Sequence, residues 1–375
     1  MCPSGTGDVR GSRGTGSAGP LASPPSGGRR PKAASGGVLI ILALNNGSSS
    51  LKAGLYRVGP QGVETLFAQD VRNLGEVPQQ LPAPDAVAHR IVHGGPALRE
   101  HCVINNDVLA HIEAAVPFAP LHTPAALALI RQAQQRYPTL PQVACFDTVF
   151  HAGMPDVARV LPLPITLRAE GVQRFGFHGL SCESIVHALG TQVPARLVIT
   201  HLGNGASITA VAHGRSVDTS MGLTPTGGLI MGTRSGDLDP GVLVYLLREK
   251  KLDAQALERL VDQESGLLGI SGVSGDMRRL HEAAPTHPAA QLAISMFCRA
   301  VCKQIAAMTA VLGGADMIVL TGGIGENDRV VHDAVCAGLA WMGAGTARCP
   351  VRVMASQEDE QLARHAWRLL RPARK

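Results

Sequence analysis

Apolar positions along the chain fall into short runs of strand length, and three of these runs break into turns rich in glycine, asparagine and hydroxyl side chains. VLIILAL, residues 38–44, leads into Asn45-Asn46-Gly47-Ser48-Ser49-Ser50-Leu51-Lys52. ARLVIT, residues 195–200, leads into His201-Leu202-Gly203-Asn204-Gly205-Ala206-Ser207. ADMIVL, residues 315–320, leads into Thr321-Gly322-Gly323-Ile324-Gly325-Glu326-Asn327. Glycine removes the Cβ that would hold a phosphate away from backbone N–H groups, so turns of this kind at strand ends suit phosphate. Most such turns are only turns; three of them along one chain suggest a nucleotide held between two lobes.

The remaining pattern extends this reading. Residues 53–58 read as a hairpin partner of the first strand, followed by a Pro-rich stretch over 77–84, a strand over 86–92 and the turn His93-Gly94-Gly95. Thr123 and Pro124 read as the N-cap and first residue of an Ala/Leu helix reaching Arg136. A buried strand over 143–146 ends at Asp147. Strands then follow over 196–200, 207–212 and 317–320, with helices over 240–250 and 288–312. Residues 357–370 form an amphipathic helix, acidic early and arginine-rich late, as the helix dipole favours. Strand–turn–strand units flanked by helices predict an α/β architecture.

Composition narrows the class. The 375 residues suffice for two domains, and 45% hydrophobic with 17% charged residues is a globular balance. The net charge of +5 comes partly from Arg10, Arg13, Arg29, Arg30 and Lys32. These lie in a Gly/Ser/Pro/Ala/Arg leader over residues 1–37 that cannot bury a core and is expected to be disordered. The rest carries no basic run for nucleic acid and no apolar run of membrane-spanning length, so neither partner is expected. Eight cysteines form no CxxC pair, which reads as reduced, mostly buried thiols in a cytoplasmic protein.

Phosphoryl transfer needs positioning and positive charge more than covalent chemistry. Candidates with those roles are Arg90 in HRIVHGG, Asp147 at the end of a buried strand, His178 in RFGFHG and Arg234 in MGTRSGD. Each has a plainer reading taken singly: a structural arginine, a core histidine, an aspartate capping its turn. His89 and His93, four apart on a strand and turn, are poorly placed as metal ligands.

Taken together, the segments NNGSSSLK, HRIVHGG, APLH, FDTVFHAGMP, RFGFHG, HLGNGAS, SVDTSMGLTP, MGTRSGDLDP, GISGVSGDMR and GGIGEN occur in the order found in acetate kinases, and the chain resembles that family from Val38 almost to its end. The resemblance implies two actin-like (ribonuclease H-like) lobes around a nucleotide cleft, each a mixed sheet flanked by helices. A shortened first lobe would span residues 38–148 and the nucleotide-binding lobe residues 149–358, with residues 359–375 returning as a helix to the first lobe. It implies ATP-dependent, reversible phosphorylation of acetate to acetyl phosphate, a homodimer, and Mg²⁺ or Mn²⁺. Arg90 and Arg234 would grip acetate and the phosphoryl group, with His178 and His122 as donors. Asn45, Asp147 and Glu358 would organise the metal, and Ser48, Ser50 and Lys52 would come from the first turn. His201, Gly203, Asn204, Gly205, Gly323, Ile324, Gly325, Glu326 and Asn327 would cradle ATP, with Asp276 and Arg278 beside the adenosine. Val92, Leu121, Phe177 and Pro225 would enclose the acetate methyl.

The chain departs from the family pattern in four places. It is shorter between Lys52 and Arg90, and Cys182 stands where a histidine is usual. Thr226-Gly227-Gly228 replaces Leu-Glu-Gly, and Thr123 replaces an asparagine. Two alternatives therefore stay beside the acetate reading: a kinase preferring propionate or butyrate, and a weakly catalytic nucleotide-binding homologue.

Overall fold

A computed structural model describes residues 37–47, 51–120 and 122–371. The leader apart from Gly37, together with Ser48, Ser50 and Leu121, lies outside the described residues.

Two mixed sheets organise the chain. The first contains β1 (Leu39–Asn46), β2 (Leu51–Gly59), β3 (Gly62–Val71), β4 (Ala86–Ile91), β5 (Cys102–Val103) and β6 (Gln142–Phe146), in the order β3-β2-β1-β4-β6-β5. The second contains β7 (Arg196–Leu202), β8 (Ala206–Ala212), β9 (Arg215–Thr219), β10 (Met317–Thr321) and β11 (Val351–Val353), in the order β11-β10-β7-β8-β9. In each, an antiparallel three-strand meander is joined by two strands parallel to its first member. The same half-fold is thus built twice, and β1–β2 and β7–β8 are corresponding hairpins. Strands buried on both faces carry continuous apolar runs, as in β6 and β10, where helices cover the sheet.

β3 went unread in the sequence because its residues are mostly exposed and lack a clean alternation. Thr123 is the first helical residue rather than the cap. Its N–H donates to Ala119 O because the chain is already turning at residues 116–118, which leaves His122 at the cap position and Thr123 Oγ1 buried without a partner. Contrary to the expectation of no run of spanning length, the Pro288–Val311 helix is long and apolar enough to cross a membrane by length and composition. Its apolar stripe, including Ile294, Phe297, Val301 and Ile305, lies in the core of the second sheet. The Glu358–Leu370 helix seats Leu362, Ala363 and Ala366 on Leu39, Ile41, Ala43, Ala86 and Ala88 of the first sheet, and Trp367 Nε1 donates to Gly37 O at 2.6 Å. Its acidic N-terminus is thereby held at the end of β1.

Candidate active site

Strand register assembles the polar cluster of the first sheet. Leu44 pairs with His89 in parallel, so Asn45 follows beside Arg90; Arg90 pairs with Cys145, and Asp147 N–H donates to Ile91 O at 3.0 Å. Arg90 consequently meets Asp147 through two nitrogens, Nε to Oδ2 at 3.0 Å and Nη2 to Oδ2 at 2.6 Å, and its Nη1 donates to Asn45 Oδ1 at 3.2 Å. The Asn45 amide donates in turn to Asp359 Oδ1 at 2.7 Å and Glu358 Oε2 at 3.4 Å. Burial pushes the Asp147 carboxyl up against the pull of Arg90, and burial likewise raises Asp359. Glu358 is raised by burial too, but Arg90, His201 and Asn45 outweigh that and hold it below its usual range.

Four further groups complete the cleft. His178 ends an irregular segment at φ +56°, a left-handed conformation uncommon for a residue with a Cβ, and caps the Gly179–Leu189 helix. Its Nδ1 hydrogen-bonds Ser207 Oγ at 3.0 Å and its ring stacks on His201 at 4.1 Å. His201 Nδ1 hydrogen-bonds Ser181 Oγ at 2.9 Å, which reaches Ser356 Oγ, also at 2.9 Å. Arg234 donates to Pro225 O at 3.3 Å, and its Nη2 lies 3.4 Å from His122 Nε2. Among the described residues Arg234 has no carboxylate in ion-pair contact, and burial pushes its guanidinium down. Burial and the nearby arginines keep both histidines neutral: His122 is lowered to about 4 by burial, Arg234 and Arg90, and His178 lies well below its usual value through burial, His201 and the two arginines.

These residues line one cavity of about 480 Å³, where the three glycine turns meet. Asn45, Gly47 and Lys52 come from the first turn, His201, Gly203, Asn204 and Gly205 from the second, and Gly322, Gly323 and Glu326 from the third. A Cβ on Gly203 would sit 3.8 Å from Gly323 N, and one on Gly205 only 3.2 Å from His178 Nε2 and 3.4 Å from Arg234 Nη1. Glycine at 205 leaves room where the His178 and Arg234 side chains approach the backbone. Arg90, Val92, His122, Asp147, Phe177, His178, Pro225, Arg234 and Glu358 also line the cavity.

Other residues singled out in the sequence stand apart. Ile324 packs on the core of the second sheet, Gly325 O faces His332, and Asn327 Nδ2 donates to Gly323 O at 2.9 Å. Asp276 and Arg278 pair with each other on the surface, outside the cavity lining. Asp359 and Ser356 line the cavity without having been marked as site residues. An acidic residue in a first helical turn reads as a dipole partner, and only the Asn45 contact gives Asp359 a further role.

The model of the acetokinase family matches residues 61–362, four-fifths of the chain and nearly all of this cleft. The chain belongs to the acetokinase family. An acetate kinase of Heliobacterium modesticaldum is 42% identical over 311 residues, covering 76% of this chain and 78% of that protein. The crystal structure of Porphyromonas gingivalis acetate kinase superposes with a TM-score of 0.75 at 30% identity, over 89% of this chain and 100% of that one. A propionate kinase from Francisella tularensis superposes with a TM-score of 0.76 at 33% identity, over 87% and 98%. Acetokinase membership agrees with the two mixed sheets. Arg90, His122, Asp147, His178, Arg234 and Glu358 all fall inside the matched residues, whereas Asn45 and Lys52 precede them.

Proposed function

We propose that this acetokinase transfers the γ-phosphoryl group of ATP reversibly to a carboxylate oxygen of acetate, by direct in-line displacement. The observation that carries the reading is Arg234, a half-buried guanidinium without a carboxylate in ion-pair contact among the described residues, set beside His122 and His178 where the three turns meet. A cation partly withdrawn from water without a carboxylate beside it favours the arrival of an anion, and both substrates are anions. Its planar fork suits carboxylate and phosphoryl oxygens alike.

Each remaining group takes a role consistent with its surroundings. Arg90, held by Asp147 and Asn45, would share the anions with Arg234. With Ser207 Oγ–H donating to Nδ1, the neutral His178 ring keeps its proton on Nε2 for a phosphoryl oxygen, and His122 supports from the other side of Arg234. Val92, Phe177 and Pro225, with Leu121, would enclose the acetate methyl. The HLGNG and GGIGEN turns with Lys52 would face the ATP phosphates, and Asp276 with Arg278 would meet the nucleoside further out.

The donor set fits Mg²⁺ or Mn²⁺. Buried Asp147 and half-buried Glu358 and Asp359 set three carboxylates against Arg90 and Lys52, and Asn45 adds an amide, which suits a hard cation that keeps several waters. Bound by Asp147, Glu358 and Asn45, such an ion would neutralise charge on the transferring phosphoryl group. We read residues 38–148 and the C-terminal helix as one lobe and residues 149–358 as the other, in a cytoplasmic enzyme. Val242, Val244, Tyr245 and Leu247, exposed on the Pro240–Arg248 helix, fit a homodimer.

Trapping the acyl phosphate with hydroxylamine tests the activity and the acid together. One methylene changes binding in an apolar pocket by about 1–3 kcal/mol. The expected order of kcat/KM is therefore acetate, propionate, butyrate, with propionate turned over measurably. Folded protein that binds ATP and yields hydroxamate from none of the three is the weakly catalytic homologue instead.

A further inference from the structure

Away from the cleft, three segments bring His101, Glu183 and His365 together. His101 precedes β5, Glu183 lies on the Gly179–Leu189 helix and His365 on the Glu358–Leu370 helix. One ligand atom of each lies within 4.8 Å of the others. His365 Nε2 hydrogen-bonds Glu183, and the two imidazole rings are 3.9 Å apart. His101 Nε2 stands 3.6 Å from Glu183 Oε1, too far for a hydrogen bond; it is buried without a partner, on a side chain only 9% exposed. Burial alone would raise the Glu183 carboxyl, but His101 and His365 together hold it well below its usual range. Phosphoryl transfer uses none of these three groups.

We infer that His101, Glu183 and His365 form a binding site for a divalent transition-metal ion of the Zn²⁺ class. Two imidazoles and one carboxylate are a ligand set that zinc takes while keeping a fourth position open. Bonds of roughly 2.0–2.1 Å in a tetrahedron place donor atoms about 3.3 Å apart, close to the 3.6 Å between His101 and Glu183. Gln361 stands beside the cluster, its Nε2 3.0 Å from His365 Nε2 and its Oε1 buried without a partner. A half-turn of that amide exchanges the nitrogen for an oxygen donor. Glu183, at 16% side-chain exposure, leaves a way in from solvent.

Two contacts oppose the ion and set the expected strength. The first is the Gln361 Nε2 donation to Glu183 Oε2 at 3.3 Å, which a turned amide gives up. In the second, Phe146 N–H donates to His101 Nδ1 at 3.1 Å, so the neutral ring carries its proton on Nε2. Metal at Nε2 moves that proton to Nδ1 and gives up the Phe146 bond. The site is therefore weaker than one whose second nitrogens already donate to acceptors. When filled, it ties the helix that begins beside His178 to the helix that carries Glu358 and Asp359.

The test uses the full chain, stripped with a chelator and held in saturating Mg²⁺ so that the cleft carboxylates are covered. Zn²⁺ is titrated against a chromophoric chelator, with Tm and Co²⁺ absorption as further readings. One Zn²⁺ per chain, a raised Tm and visible tetrahedral Co²⁺ bands are expected. His101→Ala and His365→Ala should each weaken Zn²⁺ at least tenfold while leaving ATP binding unchanged. Glu183→Gln, which keeps the packing and removes the charge, should do the same if an alanine variant misfolds. Absence of zinc uptake by the wild-type chain, or equal affinity in the folded variants, overturns the assignment.

Discussion

Arg234 has hydrogen-bond contacts at 3.3, 3.4 and 3.9 Å, to a carbonyl, a histidine and the Met231 sulfur, and no carboxylate in ion-pair contact among the described residues. On the function proposed above, its charge serves an incoming anion rather than the fold. Arg234→Ala is expected to lower kcat by about 10²–10³, the range for losing one transition-state donor, while Tm stays level or rises. A variant that unfolds, or that keeps wild-type kcat, would make the arginine structural. The buried histidines act on stability instead. Burial holds His89, His93 and His151 down at about 4, below the ordinary value near 6.5. The unfolded chain then binds more protons between those values, so stability present above pH 6.5 falls as pH drops toward 4, by about 1.4 kcal/mol per unit for each histidine. Tm measured from pH 7.5 to 4 should show this decline; a flat profile would contradict it. At this scale Arg90, Asp147, His178 and Arg234 stood out in the sequence because each sits against glycine or at a strand end. The Asn45–Asp359 contact did not, since it joins residues at opposite ends of the chain.

The Gly179–Leu189 helix starts immediately after His178 and packs its first residue on the end of β6. Gly179 N–H donates to Asp147 O at 2.9 Å, and a Cβ at 179 would lie 2.2 Å from that same oxygen. Gly179→Ala must therefore push the helix off the strand end or displace Asp147. The expected result is a loss of several kcal/mol in denaturant unfolding, with activity reduced beyond what stability explains. Wild-type stability and activity in this variant would mean that the helix is free to shift. Elements buried on both faces were legible as apolar runs, because sheets covered by helices demand them. The edge strands were not: β3 is mostly exposed, and β5 and β11 are only two and three residues long. Their pairing is imposed by neighbours rather than by their own pattern. The Thr123 cap failed for a similar reason, because a turn at residues 116–118 starts the helix one residue earlier.

Across the whole molecule, a half-fold built twice brings the β1–β2 and β7–β8 hairpins to one cavity, and the turn after β10 joins them. The three turns were visible in the sequence, and so was the α/β class. Their meeting point was not, since it depends on strand order and on the C-terminal helix crossing back to the first sheet. That helix delivers Glu358 and Asp359 to the cleft, which makes the site a product of both sheets and of both ends of the chain. The most direct measurement is ³¹P NMR of the protein with ATP, Mg²⁺ and acetate, compared with Arg234→Ala. Wild-type protein is predicted to convert the γ-phosphorus signal of ATP into acetyl phosphate with ADP in equal amount, and the variant to bind ATP without that conversion. Folded wild-type protein that binds ATP and forms only ADP and inorganic phosphate, or nothing, would contradict transfer to acetate in this cleft.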